Sequence, residues 1–332
     1  MPVFNEGNFI RRSLGALVNQ SYSHDRMEII VAEGLSTDNT RALIIEIASE
    51  SSVPVIVVDN PKQIAPSGLN RALAIAKGDI IVRTDGHTIV EADYVSECVE
   101  ALKRTDAGNV GGKMNAVSEG SIGNSITLAT SSKFGIGNAR FHYSDREEYV
   151  DTVYLGAWPR RIFEQYGLFN EELVRNQDDE FNYRIRANGE KILLSPKIKS
   201  KYFSRSTFKS LWRQYFQYGY WKVRVLQMHP KQMSLRQFVP AALVLSLILT
   251  SILSLLGPLG TWAFLAVLSS YVISNIAASF LTAKTHFALI PLISLGFAIL
   301  HFSYGFGFLL GVFSFAGHWF RTKSSDPLPV DH

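Results

Sequence analysis

Apolar and polar positions change period along this chain. In the first two hundred residues, short β-branched runs at 28–32, 53–58 and 79–82 alternate with stretches at 40–48 and 68–76 whose apolar residues recur every three to four positions. Short strands separated by helices predict an α/β unit with a parallel sheet. Ser36-Thr37-Asp38-Asn39-Thr40 follows the first run and supplies side-chain caps for the next helix. From residue 238 the alternation stops. No charged residue occurs from 238 to 256 or from 259 to 281, and each stretch is long enough to cross a hydrocarbon core of about 30 Å. Two such stretches in tandem read as membrane spans, with a buried core helix as the alternative for either one.

A third apolar stretch, 287–320, exceeds one span yet is short for two. Glycines punctuate it at Gly296, Gly305, Gly307, Gly311 and Gly317, so it is expected to bend or re-enter. The spacing of Gly307 and Gly311 would allow close helix approach, with loop glycine as the alternative. His301 and His318 have no acidic neighbour and read as interfacial or packing residues.

The chain has 332 residues and 47% hydrophobic content, concentrated at its C-terminal end. Lys222, Arg224, Lys231 and Arg236 crowd the approach to the first span and Lys284 follows the second, which predicts a multi-pass protein of the inner (cytoplasmic) membrane with its N-terminal domain in the cytoplasm. Arg321 and Lys323 would also favour the cytoplasm, yet three single crossings would put them outside. The net charge of +4 is largely this membrane-flanking excess and gives no reason to expect a nucleic-acid partner. The single cysteine, Cys98, precludes an internal disulfide and is expected to pack a helix at 94–102. Met1 runs straight into Pro2-Val3-Phe4-Asn5-Glu6, so membrane insertion is expected to depend on the C-terminal spans.

Two acidic clusters carry the chemistry. Asp85-Gly86-His87 closes the run at 79–84, and Gln177-Asp178-Asp179-Glu180 opens a polar stretch further on. An acid at the carboxyl end of a strand lies where open α/β sheets bind ligands, and an adjoining acid and imidazole suit a divalent cation on a diphosphate. Each has a simpler alternative: Asp-Gly is a common hairpin turn, and acids gather in first helical turns.

Several short motifs recur together: Pro2-Val3-Phe4-Asn5-Glu6, Ser36-Thr37-Asp38-Asn39-Thr40, Ala76-Lys77-Gly78-Asp79, Asp85-Gly86-His87, and Asp178-Asp179-Glu180 with Arg184. In this order they resemble the family 2 glycosyltransferases, inverting enzymes of the GT-A fold, over residues 1–225. The membrane-attached exopolysaccharide enzymes of the succinoglycan type are more similar still. They share the Asp-x-His variant, Gly135-Ile136-Gly137-Asn138-Ala139-Arg140-Phe141, Val150-Asp151-Thr152-Val153 and an aromatic segment before the first span.

The resemblance implies a GT-A domain at 1–205, a basic aromatic connector at 206–237 and a membrane region at 238–320. It places Asp178 as the base that deprotonates the acceptor, with Arg184 six residues on and Gln177 where the family has Glu. It assigns Pro2, Glu6, Glu33, Asp38 and Asp85 to a nucleotide sugar, taken as a UDP-sugar because Glu33 stands where the family has an acid for uracil. Asp85 and His87 would hold the divalent cation, Mn²⁺ or Mg²⁺, and the imidazole tilts the choice toward Mn²⁺. Asp179 and Glu180 fall to the helix start or the acceptor. Gln214, Gln217, Tyr218 and Trp221 belong to a segment similar, with two departures, to an acceptor motif of processive synthases, although an interfacial aromatic belt is the alternative.

The implied reaction is transfer of one sugar to a polyprenyl-linked glycan, next to membrane lipid and within a polysaccharide-assembly complex. The competing reading is a catalytically weak subunit of such a complex. The family carries an apolar strand before Pro-Val-x-Asn-Glu, so a central strand is expected to be missing or cut to a stub.

Overall fold

The structure, a computed structural model, describes residues 1–319 apart from 138, 204, 205 and 233. Its first unit alternates β1 (Pro2–Val3), α1 (Ile10–Val18), β2 (Ile29–Glu33), α2 (Thr40–Glu50), β3 (Val55–Asp59) and α3 (Ala65–Ile75). These strands form a parallel sheet in the order β1-β2-β3, with Ile29 to Glu33 of β2 opposite Val55 to Asp59 of β3. Every residue of β2 is buried, as a strand covered on both faces requires. The expected first strand is two residues long, pairing Pro2 with Ala32 and Val3 with Glu33.

Next come β4 (Ile80–Val82), β5 (Thr88–Val90), α4 (Tyr94–Arg104), β6 (Ala107–Val117), α5 (Gly120–Thr130), α6 (Lys133–Ile136), β7 (Glu148–Tyr149), β8 (Tyr154–Pro159), α7 (Arg161–Tyr166), α8 (Gln177–Ala187) and β9 (Lys191–Phe203). Here the all-parallel expectation needs correction. The second sheet runs β4-β8-β6-β9-β5 with β7 on β9, and only β6 and β9 pair in parallel. The strands at 107–117 and 191–203 return through long connections, so the pairing depends on contacts that local periodicity does not register. α4 buries Tyr94, Val95, Cys98, Val99, Ala101 and Leu102 against the sheet. Burial pushes the Cys98 thiol up, which suits a packing residue.

α9 (Phe208–Met228) leads to α10 (Val239–Ser254), α11 (Pro258–Ala283) and α12 (Ile290–Ser314). The last three lie in segments long and apolar enough to cross a membrane. α12 runs through the third apolar stretch without a break, so its glycines serve packing: a Cβ at Gly307 would meet the Phe216 carbonyl, and one at Gly311 would lie 2.7 Å from the Tyr220 carbonyl. His301 lies between the Tyr271 hydroxyl at 3.1 Å and the Phe134 carbonyl at 2.8 Å. Residue 320, Arg321 and Lys323 lie outside the described residues, as does Asn138.

Candidate active site

Asp85-Gly86-His87 is not a hairpin turn, because β4 and β5, which it joins, are not neighbours in the sheet. Its loop is fastened from both sides. The Ser13 hydroxyl donates to the Gly86 carbonyl at 2.6 Å, and a Cβ at residue 86 would lie 2.8 Å from Glu6 Cγ. Glycine therefore lets Glu6 close on the loop, where its Oε1 sits 2.9 Å from His87 Nδ1. An ionised carboxylate only accepts, so Nδ1 is the donor in this contact, and the neutral imidazole would present the Nε2 lone pair.

Arg83, at the end of β4, is 7% exposed. Its Nε lies 3.2 Å from Asp85 Oδ1, and its Nη1 lies 3.9 Å from Asp178 Oδ2 without a hydrogen-bond partner. Burial opposes charge on both members of the Arg83–Asp85 pair, yet their attraction wins. Arg83 is held above its ordinary range by Asp85 and Asp178, and Asp85 below its own by Arg83 and His87.

Asp178 occupies the first turn of α8, behind a left-handed Asn176 (φ 64°), where the helix dipole favours a carboxylate. Its Oδ1 accepts the Asp179 N–H at 2.9 Å, and its side chain is 41% exposed. The acids that follow are committed elsewhere. Asp179 pairs with buried Lys222 and accepts from Gln232 at 2.8 Å. Glu180 is buried against Arg184 at 2.8 Å and His229 at 2.9 Å. Burial would raise the Glu180 carboxyl, but His229 and Arg184 hold it below the usual carboxylate range. These pairs clamp α8 to α9 and the chain beyond it.

One cavity of about 1400 Å³ joins these groups to the helical region. It is lined by Asp85, His87 and Asp178, by Gln214, Gln217 and Tyr218 of α9, and by Leu243, Tyr271 and Leu300 of α10, α11 and α12. Gln214 donates to the Tyr218 hydroxyl at 2.9 Å, and Gln217 accepts from Arg175 at 3.2 Å. Trp221 lies outside this lining, with its ring against Tyr220 and Phe315. Pro2, Glu6, Glu33 and Asp38 are outside it too. Pro2 sits in β1; Glu33 is fully buried, accepts the Leu35 and Ser36 N–H groups and pairs with Arg41 at 3.1 Å. Asp38 accepts from the Thr40 N–H that opens α2 and from the Gly7 N–H, both at 3.0 Å.

Sequence reasoning missed Arg83, although it stands two residues before Asp85 and so on the same side of an extended chain. It also missed the cations of the cavity. Each of the four lining aspartates, Asp85, Asp151, Asp178 and Asp179, has a Lys or Arg within 4 Å. Lys133, Arg175, Arg213 and Arg236 line the same cavity with no carboxylate that close among the described residues.

A divalent cation is implied by the resemblance, and the donor set fits one. No cluster of three His, Cys, Asp or Glu is present among the described residues, so a cation here would take Asp85 and His87 as two protein ligands and leave its remaining positions to diphosphate oxygens and water. His87 is oriented by a carboxylate on its other ring nitrogen, the usual support for a metal-binding imidazole.

The Glycosyl transferase family 2 model matches residues 1–167. The succinoglycan biosynthesis protein ExoA of Rhizobium meliloti (strain 1021) is 28% identical over 270 residues, covering 79% of this chain and 81% of that protein. A dolichyl N-acetyl-alpha-D-glucosaminyl phosphate 3-beta-D-2,3-diacetamido-2,3-dideoxy-beta-D-glucuronosyltransferase of Methanococcus voltae is 27% identical over 226 residues, covering 66% and 70%. In fold, the chain is similar to the mannosyltransferase PcManGT from Pyrobaculum calidifontis, solved with GDP-Man and Mn²⁺, with a TM-score of 0.59 and 18% identity over 93% of this chain and 85% of that one. A family model spanning half the chain, on a GT-A fold with apolar C-terminal helices, identifies this protein as a member of glycosyl transferase family 2.

Proposed function

We propose that this glycosyltransferase moves one sugar, with inversion, from a nucleotide sugar to a lipid-linked glycan during exopolysaccharide or cell-surface glycan synthesis. The observation that carries the reading is a cavity lined both by Asp85, His87 and Asp178 and by residues of α10, α11 and α12. A soluble acceptor would need no such continuity.

In this reading Asp178 takes the proton of the acceptor hydroxyl as its oxygen bonds to the anomeric carbon, and the bond from that carbon to the diphosphate breaks. Arg83 places a buried guanidinium 3.9 Å from Asp178. A divalent cation bound by Asp85 and His87 would supply charge for the departing diphosphate. Lys133, Arg213 and Arg236 supply charge for a phosphate of the acceptor lipid. The relative from Methanococcus voltae is named for a dolichyl N-acetyl-alpha-D-glucosaminyl phosphate and ExoA for succinoglycan biosynthesis, which supports this acceptor class. The neighbour solved with GDP-Man and Mn²⁺ supports a nucleoside diphosphate sugar and a cation. The uridine assignment rests on the place of Glu33 in its motif. The catalytic domain is proposed to face the cytoplasm, on the inner membrane.

The test supplies membranes containing the protein with a panel of radiolabelled nucleotide sugars and Mn²⁺. Label should enter the organic extract for at least one donor and should not do so in EDTA. Label that stays in the aqueous phase with every donor would overturn the lipid-linked acceptor.

A further inference from the structure

The three apolar helices are buried in different ways. Buried residues of α10 are Ala241 and Val244, near its start, and those of α11 are Asn275, Ser279 and Ala283, near its end. The hairpin between these ends is exposed apolar surface, with Leu255, Leu256 and Leu259 more than 80% exposed at its tip. α12 differs, because its buried residues run from Ile293 through Phe297, Leu300, Gly305 and Phe308 to Gly311.

The partners along that face belong to the catalytic unit and to α9. A Cβ at Gly296 would lie 3.2 Å from that of Ala129 in α5, and His301 bonds the Phe134 carbonyl of α6 at 2.8 Å. Further along, Gly307 abuts Phe216 and Gly311 abuts Tyr220, while the Phe315 carbonyl accepts from Gln227 at 2.9 Å. α9 therefore accompanies α12 from its middle to its end. α9 cannot sink into hydrocarbon with it, because its Lys222 pairs with Asp179 and its Arg224 with Glu172 at 2.8 Å, both in the catalytic unit. A crossing helix of 25 residues, about 37 Å long, would have one end far from that unit. Both ends of α12 touch it or the helix fastened to it.

We propose that α12 lies along the membrane surface, seated between the catalytic unit and lipid, and that only the α10–α11 hairpin enters the hydrocarbon core. The partner of its outward face is the bilayer: Leu295, Phe306, Leu310 and Phe313 are exposed there, at a spacing that forms one stripe. The end of α12 then returns to the side of the catalytic unit. This removes the conflict between the basic residues Arg321 and Lys323 that follow in the sequence and an odd number of crossings. The inference concerns how the chain sits in lipid and is read without any measurement of transfer, so it stands or falls apart from the proposed reaction.

The test uses the full chain in membrane vesicles of both orientations, with Glu50→Cys to mark the catalytic unit and Gly317→Cys to mark the end of α12. Both positions are exposed, whereas the natural Cys98 is buried. A membrane-impermeant maleimide should label both variants in the same vesicle orientation, and permeabilised vesicles show that both thiols can react. Labelling in opposite orientations would overturn the proposal. Spin labels at positions 295 and 313 add a second readout: they should report equal depth, whereas a crossing helix would separate them by about 27 Å along its axis.

Discussion

The two ends of the cavity handle charge in opposite ways. At the donor end each charged group has a partner: Arg83 holds Asp85 and Asp178, and Glu6 holds His87. Elsewhere in the lining Lys133, Arg213 and Arg236 are exposed and have no carboxylate within 4 Å among the described residues. Paired groups are preorganised for one geometry and lose little on binding. Unpaired cations facing one space repel each other until an anion joins them. The contrast teaches that the group around Asp85, His87 and Asp178 is built before any substrate arrives, whereas the free cations would, under the proposed function, be completed by the phosphate of an acceptor lipid.

The change expected to cost most breaks the donor end at its base. Asp178→Asn keeps the size of the side chain but cannot take a proton, so transfer should fall by about 10²-fold or more while nucleotide-sugar binding, followed by calorimetry, stays nearly unchanged. Retention of more than about a tenth of wild-type turnover would remove Asp178 from that role.

His87→Ala and Glu6→Gln both attack the prepared cation site, the first by removing a ligand and the second by loosening its orientation. Each should raise the Mn²⁺ concentration needed for half-maximal activity, Glu6→Gln by about 10- to 100-fold, and His87→Asp should shift preference toward Mg²⁺. Equal activity in EDTA and in Mn²⁺ would show that no cation works there.

Arg213→Gln and Arg236→Gln sharpen the contrast from the other end. A charge-assisted bond to phosphate is worth about 1.5–3 kcal/mol, so each should raise the acceptor KM by roughly tenfold or more without moving the donor KM. A change in donor KM alone would place these cations on the nucleotide.

Glu180→Gln, outside both ends, should leave catalysis nearest to wild type and act on stability. The Glu180 carboxyl is held below its ordinary range, so its contribution is present above about pH 4.3 and is lost as pH falls through the depressed folded value. The variant should be less stable near neutrality by about 1–3 kcal/mol and lose less on acidification, both measurable by denaturant melts across pH.

Much of the chain up to β4 was legible as elements, though not the pairing of β4, because local pattern marks short strands and helices there. The runs at 28–32, 53–58 and 79–82 became β2, β3 and β4, and the helix at 40–48 became α2. The mixed pairing of β6, β8 and β9 was not legible, since antiparallel partners far apart in sequence leave no local mark. For the site, Asp85, His87 and Asp178 do reach one cavity, but their pairing through Arg83 joins residues 83 and 178 across the fold. Glu180 looked like its acidic neighbours until His229 and Arg184 enclosed it. Hydropathy likewise measured the length of α12 but not the helix lying beside it.

The central claim is that the acceptor lipid enters the cavity from the membrane end. A photoreactive polyprenyl diphosphate, crosslinked to the protein in membranes and mapped by mass spectrometry, tests it most directly. Crosslinks should fall on Leu243, Tyr271 and Leu300, which line the cavity, and should weaken when Arg213 and Arg236 are both replaced by glutamine. Crosslinks confined to the outward residues Ile248, Ile252 and Ile273, and indifferent to those replacements, would contradict it.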